Sequence, residues 1–236
     1  MPARSALGTC LLFLLLAVPP ATAADALPRG NCAQPQPLTD LAHCDFSRRK
    51  LAGRDLHGAR LAGAKLESTD LRKANLRGAD LSRSNAKWAL FTGAQLQAAD
   101  LRNADLFHAI FDAADLSGAR FAGAYLFGAN LIDARAPEAD FTDAYLKDVL
   151  MEGIDLSGGS IRNCYTFRGV FVGAKLVGAD LSGADLTGAS MEQADFTNAR
   201  LKGTRLTGAV LRQAVFIGAD LAGANFVNAD VWGANF

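Results

Sequence analysis

Ala179-Asp180-Leu181-Ser182-Gly183-Ala184-Asp185-Leu186-Thr187-Gly188 is two copies of one five-residue motif: Ala, Asp or Asn, Leu or Phe, a small polar residue, Gly. The same phase extends in both directions without slipping, from Phe46 to Phe236. Of the 39 residues at its central position, 22 are Leu, 10 are Phe and four are Met, Ile or Val, leaving Ala86, Ala136 and Thr166 as exceptions. Two residues before each centre the chain carries Ala in 28 of 39 cases. On an α-helix at about 100° per residue, successive centres would step by about 140° and spread around every side. On an unbroken strand of period two, each five-residue step would flip the next centre to the opposite face. Both ranks are buried together only if each pentad forms one short side and then turns, giving a solenoid with a shared interior. The Gly-rich repeat end supplies the turn.

In these stretches the chain resembles the pentapeptide-repeat proteins, over roughly residues 41–236. The resemblance implies an all-β fold, a right-handed quadrilateral β-helix with four pentads per coil. Leu/Phe and Ala would face inward and the other three positions outward. About nine to ten coils at a spacing near 4.8 Å would make a rod on the order of 45 Å long.

Residues 1–23 read as an export signal: Arg4 is a positive start, Leu11 to Val18 a short apolar core, and Ala21-Thr22-Ala23 a cleavage site. The apolar run is too short to span a bilayer, and Cys10 lies within it rather than after it, which argues against a lipid anchor. The mature chain is expected to begin near Ala24 and to be periplasmic or secreted. Residues 24–45 lack the repeat as counted from Phe46 and contain Pro28, Pro35, Pro37, Cys32 and Cys44; they are read as a cap over the first coil, with the repeat domain at 46–236. Export to an oxidising compartment favours a Cys32–Cys44 bridge, with free thiols as the alternative. Cys164 occupies an inward Ala slot about six coils from Cys44, too far to bond with it, and reads as a small buried hydrophobe.

Removing Arg4 with the signal leaves 23 basic and 24 acidic residues, a net of −1. Relatives that imitate duplex DNA and bind DNA gyrase need a densely acidic rod, and a nucleic-acid binder needs a basic stripe; this chain has neither pattern. The frequent Asp at the second repeat position suits turn formation through bonds to the local backbone. His43, His57 and His108 fall in separate pentads without ligand spacing. The expectation is a protein with no catalytic residues, no cofactor, no metal and no nucleic-acid partner.

Folding the sequence into rows of 20 places Tyr125, Tyr145 and Tyr165 in one outward column, beside Phe107, Phe127, Lys147 and Phe167, with Trp88 and His108 on the flank. Across the adjoining corner Leu90, Ile110, Ile132, Leu150, Val170 and Val172 continue the apolar surface. Such a patch exceeds what a soluble monomer usually tolerates, while stacked aromatics also support one another along a ladder. In the coil at 149–169, the inward small positions become Val149, Ile154, Gly159, Cys164 and Gly169, either conserving core volume or shaping a local dent. Trp232 and Phe236 lie in repeat register at the last coil and are candidates for an end-to-end homodimer contact. The functional expectation is a non-enzymatic scaffold that binds a protein through its aromatic side. A glycan-binding or glycan-processing β-helix and a structural spacer are the alternatives.

Overall fold

The computed structural model describes residues 26–236; the segment read as an export signal and the mature start expected near Ala24 lie outside the described residues. The chain is a β-helix with a coil of 20 residues. Parallel bridges join each residue before a repeat centre to the residue 20 further on, from Asp40↔Arg60 to Val215↔Asn235. The cross-section is a quadrilateral. Side 1 runs through the centres Leu106, Leu126 and Leu146, side 2 through Phe111, Leu131 and Met151, side 3 through Leu116, Ala136 and Leu156, and side 4 through Phe121, Phe141 and Ile161.

One pentad shows why the motif has its composition. The Leu126 N–H donates to the Tyr145 carbonyl of the next coil at 2.9 Å, and the Tyr145 N–H donates to Ala124 at 3.0 Å. The Ala129 N–H donates to the Leu126 carbonyl at 3.0 Å, closing a β-turn whose third residue, Gly128, has φ 61°. That position needs the left-handed region, which Gly enters without a Cβ penalty. The Asp or Asn before the centre holds the turn: Asp80 accepts from the Ser82 N–H at 3.0 Å, and Asp195 from the Thr197 N–H at 2.9 Å. These carboxylates are turn formers, as their spacing predicted.

Centres and small residues fill the interior. Leu126, Leu131, Ala129 and Ala134 are all buried, and Phe rings stack within columns, Phe91 on Phe111 at 4.6 Å and Phe121 on Phe141 at 4.5 Å. Three polar intruders in the small inward slot share one solution, while the Ser84 hydroxyl in the same slot is buried without a partner. Thr69 donates to Phe46, Thr204 to Leu181 and the Cys164 thiol to Phe141, each to the carbonyl 23 residues earlier, at 2.8 to 2.9 Å.

The irregular coil conserves volume and widens slightly. A Cβ on Gly169 would meet Phe171 Cε2 at 2.8 Å and Val149 Cγ1 at 3.3 Å, so the neighbouring ring and the larger residue one coil earlier occupy the space this glycine vacates. Within this coil the turn bond lengthens to 3.3 Å at Val149, Ile154 and Cys164. Thr166, at a repeat centre, donates to the Asp185 carbonyl at 2.7 Å.

The coil begins earlier than the boundary placed at residue 46. Leu41 is fully buried in phase with Phe46, and Cys44 takes the small inward slot. That extends the register by a pentad, and Leu41 to Phe236 makes just under ten coils. The segment before it pairs with the first coil: Arg29 bridges Asp40, and the Gly30 N–H donates to Asp40 at 2.9 Å. Cys32 and Cys44 are joined by a disulfide, with Cα atoms 5.4 Å apart. Arg49, in an inward slot with no coil before it, lies 5.4 Å from the Phe46 ring centroid and donates to the carbonyls of Cys32 and Ala33. A charged residue is tolerated there because the slot opens on the cap.

A candidate binding face on the side of the rod

The aromatic columns on side 1 form one connected stack. Trp88 meets Phe107 edge-on at 5.3 Å, Phe107 stacks on Phe127 at 5.5 Å, and Tyr125 on Tyr145 at 5.1 Å; Tyr145 reaches Tyr165 at 5.3 Å, tilted by 35°. Phe167 lies beside Tyr165 at 6.2 Å. The Tyr–Tyr distances match the rung spacing of a β-ladder, so the backbone register imposes the stack. His108 packs edge-on against Phe107 and Phe127, and its Nδ1 lies 3.1 Å from the Gly128 carbonyl. The Lys147 ammonium lies 5.6 Å from the Phe127 ring centroid, a cation–π contact.

This mutual stacking changes the exposure expected from the sequence. Among the thirteen apolar and aromatic candidates, Trp88 (45%), Tyr125 (41%), Tyr165 (37%) and Val172 (36%) are exposed. Leu90, Phe107, Ile110, Phe127, Ile132, Tyr145, Leu150, Phe167 and Val170 are half-buried. Outward direction in a period-five pattern says nothing of what lies one coil away, and here Tyr145 is shielded by the rings before and after it, while Trp88, Tyr125 and Tyr165 at the margins of the stack stay exposed. The face therefore offers ring edges and tyrosine hydroxyls, with the flat faces turned toward one another.

Side 4 is the contrast. Arg102 pairs with Asp100 at 2.6 Å, and Asp180 sits between Arg162 at 3.8 Å and Arg200 at 3.4 Å. The Arg102 hydrogen bond holds the Asp100 carboxyl below its ordinary range against a partial burial that pushes the other way.

Side 2 carries a pattern that the sequence reading passed over. From Leu90 to Ala194 its six rungs contain Asp112, Asp133, Glu152 and Glu192, and no Lys or Arg. Basic residues return beyond both ends, at Arg72 and Lys73 and at Arg212. None of the four carboxylates joins an ion pair among the described residues. Asp112 Oδ1 and Glu192 Oε2 are buried without a hydrogen-bond partner. Burial, with Asp133 close by, pushes the Asp112 carboxyl above its ordinary range. The signal was legible as the absence of a residue type in every fourth pentad.

Two other candidates behave differently. Cys32, His43 and Cys44 bring ligand-type atoms within 4.8 Å of one another, but both sulfurs are consumed by the disulfide, and thiolates rather than disulfides ligate metals. Cys164 is buried, and that burial pushes its thiol up to about 12, leaving it protonated at neutral pH. Among the described residues no cleft or internal cavity is found, and no helix is long and apolar enough to cross a membrane. In the last coil Trp232 (71%) and Phe236 (61%) are exposed, and Phe236 stacks on Phe216 at 4.9 Å.

Comparison with known proteins follows the same geometry. The family described as Pentapeptide repeats matches the chain in eight copies, over residues 39–163 and 170–236. The interruption at 164–169 falls in the irregular coil. The crystal structure of HetL, from the cyanobacterium Nostoc sp. strain PCC 7120, is similar at 30% identity and a TM-score of 0.60, covering 83% of this chain and 88% of HetL. HetL is described as a pentapeptide repeat protein involved in heterocyst differentiation regulation. A trypsin-treated form of QnrB1, a plasmid-mediated fluoroquinolone resistance protein, aligns at 20% identity and a TM-score of 0.52, covering 78% of this chain and 89% of QnrB1. No curated protein sequence matches.

Proposed function

The chain belongs to the pentapeptide-repeat family, with its right-handed quadrilateral β-helix, and from that premise we propose an exported, non-enzymatic scaffold that binds a protein partner through side 1 and the adjoining part of side 2. The observation that carries this reading is the connected strip from Trp88 to Phe167, flanked by Leu150, Val170 and Val172. An apolar strip of this kind, on a rod whose side 4 carries ion pairs, fits the aromatic centre of a protein interface. Sugar rings stack on free aromatic faces, and in this strip most faces are turned toward other rings, so the geometry favours a protein over a glycan. The disulfide between the cap and the first coil supports export to an oxidising compartment.

The test is Tyr145→Ser with Phe127→Ser, set against Arg102→Ser with Thr142→Ala on side 4. Co-purification from envelope extract and light scattering should lose the association in the first pair and keep it in the second, with circular dichroism intact in both. Association that survives the aromatic pair would reduce the strip to a stacking ladder and leave the spacer reading. The exposed rung at Val231, Trp232 and Phe236 extends the proposal to a second copy of the chain. Trp232→Ser with Phe236→Ser should then lower the mass measured by light scattering, and an unchanged mass would remove the homodimer.

A further inference from the structure

We infer that side 2 between Leu90 and Glu192 docks a basic amphipathic α-helix lying along the rod axis, with one Lys or Arg in every seven residues. The inference rests on the protein-partner reading above and names the chemistry of the partner. Its basis is charge complementarity joined to spacing. The outward column after the centre reads Asp112, Ile132, Glu152, Val172, Glu192, so acid and apolar residues alternate from rung to rung. The column before the centre adds Ile110, Leu150 and Val170. No cation of this chain pairs with these acids among the described residues, and one oxygen of Asp112 and one of Glu192 are buried with no donor. The other Asp112 oxygen accepts only from the Asn130 amide at 3.4 Å; a carboxylate without a cation among aliphatic side chains is a cost the free rod bears, and an incoming cation would relieve it.

Spacing selects the secondary structure of that partner. In the column after the centre the acids recur every second rung, about 9.6 Å apart at the usual ladder spacing, and Asp133 adds a carboxylate in the neighbouring column. Seven residues of an α-helix rise about 10.5 Å, and long Lys or Arg side chains absorb the difference. The helix's apolar positions, three to four residues apart, advance about 5 Å and so meet successive rungs. An extended strand repeats at about 6.8 Å or 13.6 Å on one face and falls out of step within two rungs.

The probe is a labelled synthetic helix of about 21 residues, with Leu on one stripe and Lys at every seventh position within it. A control peptide of the same composition carries Lys at every fifth position. Fluorescence anisotropy should show the heptad peptide binding the wild-type rod at least about tenfold more tightly than the control. The variant Asp112→Asn/Glu152→Gln/Glu192→Gln should lose about tenfold or more of that affinity, together with its dependence on salt. Arg102→Ser/Thr142→Ala, on side 4, should still bind the heptad peptide as wild type does. Equal binding of the two peptides, or of wild type and the neutralised variant, overturns the inference. The protein-partner reading is judged separately, by whether the aromatic pair loses its partner from envelope extract. Preferential binding of the wild-type rod to anionic lipid vesicles would also overturn it, since these acids should repel such a surface.

Discussion

Sides 1 and 4 share one backbone and one interior, and differ only in what points outward. On side 1 the N–H of Tyr145 donates to Ala124 at 3.0 Å; on side 4 the N–H of Asp140 donates to Ala119 at 2.9 Å. The centres Leu126 and Phe141 are equally buried. Yet side 1 carries the Tyr and Phe stack, and side 4 carries Asp and Arg. Because ladder and core are satisfied on both, the coil does not need aromatic residues outside. Their presence on one side therefore calls for a cause beyond the coil, and that is why side 1 is read as a contact surface.

The largest effect should come from breaking what the two sides share. Leu126→Asp places a charge without a partner in the interior and should destabilise the rod by several kcal/mol or more. Ser182→Asp, outward on side 4 in a column between Arg162 and Lys202, should change the melting temperature little. Equal melting temperatures, followed by circular dichroism, would refute the inside–outside assignment.

Next in size is the closure of the first coil. Cys32→Ser opens a link across a sequence separation of 12 and should cost about 2 to 4 kcal/mol. A reductant should lower the wild-type melting temperature similarly and leave the variant unchanged. If reductant has no effect on wild type, the cap contributes nothing to stability.

The aromatic pair sharpens the comparison itself. Tyr145→Ser with Phe127→Ser removes the stacks with Tyr125, Tyr165 and Phe107, and should cost about 1.5 to 4.5 kcal/mol at roughly 0.5 to 1.5 per pair. Arg102→Ser with Thr142→Ala removes an ion pair open to solvent and one hydroxyl contact, and should cost under about 1 kcal/mol. Urea denaturation of the two double variants measures the difference, and equal midpoints would show that the ladder adds no stability.

The smallest effect belongs to Asp112. Its carboxyl is pushed up in the folded state, so the fold binds a proton more readily than the unfolded chain, and stability falls as pH rises through that raised value. Asp112→Asn should therefore melt slightly higher than wild type at pH 7, with the gap closing as pH falls toward the ordinary carboxylate range near 4. A gap that widens in acid would contradict the assigned cause.

The period of five, held from Phe46 to Phe236, determined by itself which residues face inward, because neither a helix nor a plain strand can bury that rank together. The same periodicity made the second-position Asp legible as a turn former, and the 20-residue coil implied by the family resemblance put the aromatics on one side. What the sequence could not decide depends on the coil above and below. Tyr145 points outward by phase, yet rings 5.1 and 5.3 Å away on either side leave it half-buried. Arg49 stands in an inward slot by phase, yet it bonds the cap because no coil precedes it. Gly169 is tolerated because the Phe171 ring and Val149, 20 residues earlier, fill its corner. Phase is a property of one strand of sequence and can be counted; exposure, capping and volume compensation are set by contacts between residues about 20 apart, and only the folded coil brings those together.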